Sequence, residues 1–211
     1  MVETAVFDLD GTVLDTLNDI HESLMETLEL NGRPTFDIDV TAGYVGNGLP
    51  KLLERAVGKE YYTEELLEHF RDVYNRRMVE TTTYYSGVEE MLSVLKSMGI
   101  RLIVLSNKAR IFTDGIITGL GADRYFDAWY GGDSFPEKKP SPLPLQVIMR
   151  RFASPIEKTV IIGDNYTDIE SGHAAGVKTC FCEYGYGKLA SVEPDYRASK
   201  PSDITLFVRD L

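Results

Sequence analysis

The chain has 211 residues, 43% of them hydrophobic, and a formal charge of −11. That length and apolar content suit one domain with a sizeable insertion or two small ones, and the negative charge argues against a nucleic-acid partner, because binding to a phosphate backbone needs clustered Lys and Arg. No apolar run approaches the roughly 20 residues that cross a bilayer, and the opening segment lacks a signal-peptide layout, so the expectation is a cytoplasmic protein with no membrane partner.

Val6 and Phe7 form the apolar run of a short buried strand, and the pattern breaks at Asp8, Asp10 and Gly11. Two carboxylates one residue apart on an extended segment repel each other and are costly to hold together unless a cation sits between them or one takes a proton. Taken alone, Asp8-Leu9-Asp10-Gly11-Thr12 also fits a polar turn after a strand. A calcium loop is excluded: counted from Asp8, its sixth position is Val13 where Gly is needed, and its twelfth is Asp19 where Glu is needed.

The period then changes. Leu17, Ile20, Leu24 and Leu28 recur at helical spacing and stop at Asn31-Gly32, a second helix covers Leu49 to Val57, and a third starts near Thr63 with Leu66, Leu67, Phe70, Val73 and Tyr74 as its inner stripe. Residues 16–83 therefore read as all-helical. From Ser86 onward strands and helices alternate. Ser86 and Glu89 form a capping-box signature for a helix whose stripe is Val88, Met91, Leu92, Leu95 and Met98.

Strands are expected at Ile100–Leu105, Ala128–Tyr130, Thr159–Ile162 and Lys178–Cys182, with helices at Ile111–Leu120, Leu143–Phe152 and Glu170–Ala175 between them. Such β/α alternation implies an α/β fold with a mainly parallel sheet covered on both faces, and ligands bind beyond the carboxyl ends of its strands. Cys180 and Cys182, at i and i+2 on one strand, share a face without ordinary disulfide geometry and read as reduced core residues. The stretch from Tyr184 is a polar, Gly-rich tail, and Ile204–Leu211 docks as a terminal element.

Beyond Asp8 and Asp10, two strand ends and two loops carry candidate chemistry. Ser106-Asn107-Lys108 follows a strand and serves equally as a turn or as a hydroxyl and amides around an anion. Glu137-Lys138-Lys139-Pro140-Ser141-Pro142 is a stiff loop with two adjacent lysines. Asp164 and Asp168, after Val160-Ile161-Ile162-Gly163, either cap a helix or hold a cation. Gly43-Tyr44-Val45-Gly46-Asn47-Gly48 is a flexible turn or an anion cradle, and is not a nucleotide-binding fingerprint.

In chain order, Asp8-x-Asp10-Gly11-Thr12, the strand-ending Ser106, Lys139-Pro140-Ser141-Pro142 and Gly163-Asp164-x-x-x-Asp168 resemble the four motifs of the haloacid dehalogenase superfamily, specifically its phosphatase members. The resemblance covers nearly the whole chain and looks most like phosphoglycolate phosphatase-like enzymes. It implies a Rossmann-like core (1–15 and 84–211) with a helical cap, residues 16–83, inserted after the first strand and selecting the substrate. It assigns Asp8 as nucleophile, Asp10 as general acid/base, Ser106 and the Asn107 amide to the phosphoryl group, and Lys139 as the charge that offsets repulsion between Asp8 and phosphate.

By the same resemblance Mg²⁺ is the cofactor, held by Asp8, Asp164 and the backbone carbonyl of Asp10, with Asp168 as an outer partner, and Gly46, Asn47 and Gly48 contact substrate. Lys138 is expected to face solvent, Lys108 is left between solvent and the phosphoryl site, and His173 is assigned to packing or surface. Ser86 stands where those relatives carry Pro. The implied partner is a small phosphorylated metabolite, and a net-acidic enzyme handling it needs local positive charge from a cation and selected lysines. Other readings are a phosphomutase such as a β-phosphoglucomutase-like enzyme, a pyrophosphatase or nucleotidase, and a non-catalytic phosphometabolite sensor.

Overall fold

The structure is a computed structural model that describes residues 1–211. Its elements, in order, are β1 (Thr4–Phe7), β2 (Leu14–Asp15), α1 (Leu17–Leu30), α2 (Ile38–Ala42), α3 (Leu49–Val57), α4 (Glu64–Arg77), β3 (Thr83–Tyr84), α5 (Val88–Ser97), β4 (Arg101–Leu105), α6 (Arg110–Gly119), β5 (Ala128–Tyr130), α7 (Leu143–Phe152), β6 (Thr159–Gly163), α8 (Tyr166–Ala175), β7 (Lys178–Cys182), β8 (Tyr196–Ala198) and α9 (Pro201–Asp210). No helix is long and apolar enough to cross a membrane.

Six strands form one parallel sheet in the order β5-β4-β1-β6-β7-β8. The strand period of two sorts the apolar side chains onto its faces. Phe7, Leu102, Val104, Val160, Ile162, Cys180 and Cys182 share one cluster, while Val6, Ile103, Leu105 and Ile161 join Leu145, Ile148 and Met149 of α7 in another. Burial on both faces explains why these strands read as near-continuous apolar runs. Both cysteines are buried and unpaired.

This is a Rossmann-like core with an inserted helical segment. From β1 the chain crosses to β4 on one side, and it later returns to β6 on the other side of β1. The neighbouring strands β1 and β6 therefore have outgoing connections that diverge, and their carboxyl ends open the crevice where ligands bind in such sheets.

Helices α1 to α4 leave and re-enter the core through the antiparallel pair β2–β3, with Leu14 opposite Tyr84 and Asp15 opposite Thr83. A second tie lies beside it. The Asp19 carboxylate, 2% exposed, accepts from the backbone N–H groups of Thr81 and Thr82 at 2.9 Å each and from the Thr82 hydroxyl at 2.7 Å. The start and the end of the helical segment are thus joined through one buried carboxylate.

Two sequence expectations need correction. No capping box forms at Ser86 and Glu89: α5 starts at Val88 behind Gly87, whose φ of 87° puts the chain in the left-handed region. Ser86 is one residue too early to cap, and Glu89 instead accepts from Arg124 at 2.7 Å. The box sits at α8, where Asn165 and Asp168 cap each other's backbone and start the helix at Tyr166, four residues before the expected Glu170.

Asp19→Ala is expected to lower the unfolding free energy by about 2–4 kcal/mol, because several charged hydrogen bonds are lost and the buried Thr82 N–H is left unpaired. A urea melt measures it, and a loss below about 0.5 kcal/mol, the size of an ordinary surface substitution, would contradict the clamp.

Candidate active site

Strand β1 ends by delivering Asp8 into the crevice. Its N–H is still bound to Ile162 O of β6 at 2.8 Å, and the chain then folds back on itself, with the N–H groups of Val13 and Leu14 donating to Leu9 O at 3.1 and 3.0 Å. Gly11 permits this turn at φ 82° and also a close approach, since a Cβ there would lie 2.1 Å from Asp164 Oδ2. Strand β6 delivers Asp164 and α8 contributes Asp168. One carboxylate oxygen from each of Asp8, Asp164 and Asp168 lies within 4.8 Å of the others, all three residues being buried.

Lys139 answers much of that charge. Its ammonium, with no solvent exposure, lies 3.0 Å from Asp8 Oδ1 and 2.6 Å from Asp168 Oδ1, and donates to Leu105 O at 2.5 Å. Burial pulls this ammonium down, yet Asp168 and Asp8 outweigh it and hold it above its ordinary value. Burial pushes Asp8 up to about 7 against the pull of Lys139, with Asp168 and Asp10 adding to the push. Asp164 is driven up by burial and then by Asp8 and Asp168, although the Gly187 N–H and the Thr12 hydroxyl bind it.

This cluster fits a divalent cation. The donors are hard carboxylate oxygens, which suit Mg²⁺-class ions. Asp168 is already committed to Lys139 and to the Asn165 N–H at 3.1 Å. Asp8 and Asp164 remain as the carboxylates that could coordinate, with Asp168 holding Lys139 in place.

Strand β4 brings in Ser106, buried at 2% exposure. The Asn107 backbone N–H has no acceptor in the protein, while its side-chain amide donates to Gly46 O and Lys139 O at 2.9 Å each. Asn107 therefore ties together three segments distant in sequence. Its Oδ1 is buried without a partner.

Asp8, Asp10, Ser106, Asn107, Lys108, Gly46 and Gly48 line one cavity of about 30 Å³, with Val45, Leu49, Leu52 and Ile20 as its apolar wall. At ~10–15 Å³ per water it holds only a few water-sized volumes. The Asn47 side chain lies outside this lining and donates to Tyr166 Oη at 2.9 Å. Lys138 is exposed, as expected, but its Nζ donates to Asn47 O at 2.7 Å, tying the lysine loop to the helical segment.

Two features escaped the sequence reading. Lys108 is buried at 5% exposure, with Nζ 2.7 Å from Tyr74 Oη and 3.3 Å from Asp10 Oδ1. The Gly-rich stretch from Tyr184 is no loose tail. Tyr184 Oη donates to Thr12 O at 2.9 Å, the Gly187 N–H to Asp164 at 2.7 Å, and Tyr186 Oη lies 3.0 Å from the Thr16 hydroxyl, which itself donates to Asp10 at 2.7 Å. The rule that ligands lie past the carboxyl ends of parallel strands could have flagged it, since it follows β7 directly.

Residues 5–182 match the family described as haloacid dehalogenase-like hydrolase. The chain belongs to that family. It is 40% identical to a phosphoglycolate phosphatase from Aquifex aeolicus over 94% of this chain and 93% of that one. It is 36% identical to a phosphoglycolate phosphatase from Colwellia psychrerythraea, covering 87% and 85% of the two chains. The crystal structure of a predicted phosphoglycolate phosphatase from Haemophilus somnus superimposes with a TM-score of 0.89 at 29% identity, over 98% of this chain and 97% of that one. The chain thus stands among members of the family named as phosphatases.

Lys139→Met should destabilise the fold by about 3–5 kcal/mol, because it strands buried carboxylates without their counter-charge. Adding Asp168→Asn should recover part of the loss. Urea unfolding of the two single variants and the double variant measures the coupling, and strict additivity would contradict a shared charge network.

Proposed function

We propose that the protein is a Mg²⁺-dependent phosphatase that hydrolyses a small phosphate monoester, phosphoglycolate-like in its leaving group, through an aspartyl-phosphate on Asp8. One observation carries the reading: Asp8, Asp10, Ser106, Lys139 and Asp164, from four separate segments, meet at the carboxyl ends of adjacent parallel strands beside one small cavity. The relatives named phosphoglycolate phosphatase support the substrate class.

Phosphate monoester hydrolysis is among the slowest uncatalysed reactions, with enhancements of up to ~10²¹ to be supplied, so several groups must act together. A carboxylate oxygen of Asp8 attacks phosphorus in line. The ester P–O bond breaks as Asp10 gives its proton to the leaving oxygen. Asp10 then takes a proton from a water whose oxygen attacks the same phosphorus. The bond from phosphorus to Asp8 breaks, freeing inorganic phosphate and the carboxylate.

The Ser106 hydroxyl and the unpaired Asn107 N–H bind phosphoryl oxygens, and Lys139 offsets the repulsion between Asp8 and the incoming dianion. When bound by Asp8, Asp164 and the Asp10 backbone carbonyl, Mg²⁺ supplies further neutralisation of charge on the phosphoryl oxygens. Residues 16–83 act as a cap on a core made of 1–15 and 84–211. The cap excludes bulk water, with Gly46 and Gly48 over the cavity and Asn47 bracing their loop.

A phosphate-release screen with Mg²⁺ over phosphoglycolate, sugar phosphates, nucleotides and pyrophosphate is expected to favour phosphoglycolate; phosphate returned to a sugar would mark a mutase instead. Asp8→Asn should abolish turnover with the far-UV circular dichroism unchanged, and wild-type turnover in that variant would reject Asp8 as the nucleophile. Mg²⁺ at 100 times its dissociation constant should raise the unfolding free energy by about 2.7 kcal/mol. Thermal melts should show that rise in the wild type and not in Asp164→Asn; equal stabilisation of both would place the ion elsewhere.

A further inference from the structure

Lys108 is the buried charge at the site that the reaction above leaves without a task. Its side chain is 3% exposed at the β4–α6 junction, and its two neighbours, Tyr74 Oη at 2.7 Å and Asp10 Oδ1 at 3.3 Å, come from different parts of the chain. An ammonium has three protons to donate and accepts none, so one N–H of Lys108 has no acceptor in the protein. Lys139 is the contrast, since all three of its protons are taken, by Leu105 O, Asp168 and Asp8. Of the two buried lysines, the one with a spare donor lines the cavity.

The rest of the lining narrows what that donor serves. Ile20, Val45, Leu49 and Leu52 form an apolar wall with no side-chain partner for the hydroxyls of a sugar or the edges of a base. The apolar wall and the phosphoryl-side groups stand close together, which favours a substrate with a short alcohol part. Elsewhere the site is lined or backed by Asp8, Asp10, Asp164 and Asp168, which repel an anion.

We propose that Lys108 selects the leaving group: the cavity takes a phosphate monoester whose alcohol part is short and carries one carboxylate, and that carboxylate pairs with the Lys108 ammonium while the phosphoryl group sits against Asp8 and Ser106. The proposal rests on the phosphatase reading and adds to it the residue that sets specificity. Tyr74, reaching in from α4, fixes the ammonium from the side of the helical segment. An uncharged isostere leaves the buried donor without a strong acceptor, and sites built around a polar partner reject such analogues strongly.

The test compares kcat/KM for phosphoglycolate with that for 2-hydroxyethyl phosphate, in which a neutral hydroxymethyl group replaces the carboxylate. The wild type should prefer phosphoglycolate by about 10–100-fold, the range expected for one charged hydrogen bond. Lys108→Met should collapse the ratio to within a few-fold, and Lys108→Arg, which keeps the charge, should retain most of it. A wild type without the preference, or a Lys108→Met variant that keeps it, overturns the proposal. Should Lys108→Met fail to fold, Tyr74→Phe is read in the same way, and an unchanged ratio there counts against the proposal. Absence of phosphate release from every monoester tried, p-nitrophenyl phosphate included, rejects the phosphatase reading itself and the inference with it.

Discussion

A lysine ammonium without solvent contact, wedged between Asp8 and Asp168, is the interaction on which the rest of the site depends. Removing a charge from water costs several kcal/mol, and only excellent geometry with full hydrogen bonding offsets that cost. Lys139 meets the condition: its third proton is taken by Leu105 O at the end of β4. One side chain therefore ties together the ends of β1 and β4 and the start of α8. The residual imbalance falls on Asp8 and Asp164, whose raised affinity for protons reflects burial first and like charge second. A divalent cation would answer that imbalance directly, because it lowers the cost of every carboxylate around it.

The same economy shapes the loops. Asp168 starts α8 by binding the Asn165 N–H and holds Lys139 with its other oxygen, so helix initiation and charge placement depend on one carboxylate. Gly163, where a Cβ would lie 2.2 Å from Asp168 Cγ, lets that carboxylate sit over the strand end. Asn107 and Lys138 tether the loop of Gly46 to Gly48 from the core side. With Lys108 bound to Tyr74 as well, three polar side chains at the site join the helical segment to the sheet. The helical segment is thus held over the cavity by polar side chains from the core loops beside it.

Much of this was legible in the sequence because apolar periodicity and strand ends are local signals. The strands around Val6, Ile103, Ile161 and Cys180, and the helices between them, follow from runs that nothing else in the chain contradicts. The residues at Asp8, Ser106, Lys139 and Asp164 were legible as family motifs, and the parallel sheet explains why such distant residues meet. What was not legible depends on partners far away in sequence. The β2–β3 pair has two residues a side, too few to show a period, and β8 is a three-residue edge strand. The burial of Lys108 is decided by Tyr74, which sits 34 positions earlier on α4, and the role of the stretch from Tyr184 to Lys188 by the carboxylate it reaches at Asp164. The false capping box at Ser86 failed because a left-handed glycine, not a hydroxyl, brings the chain into α5.

The central claim is that the carboxylate at the end of β1 forms a covalent bond to phosphorus during turnover, and trapping that species tests it most directly. Protein quenched in acid during hydrolysis of phosphoglycolate with Mg²⁺ present, then digested and mapped by mass spectrometry, should carry one phosphoryl group on the peptide containing Asp8, localised to Asp8 by fragmentation. Sustained turnover with no phosphorylated peptide at any quench time, or with the group on Ser106 or another residue, would contradict the account.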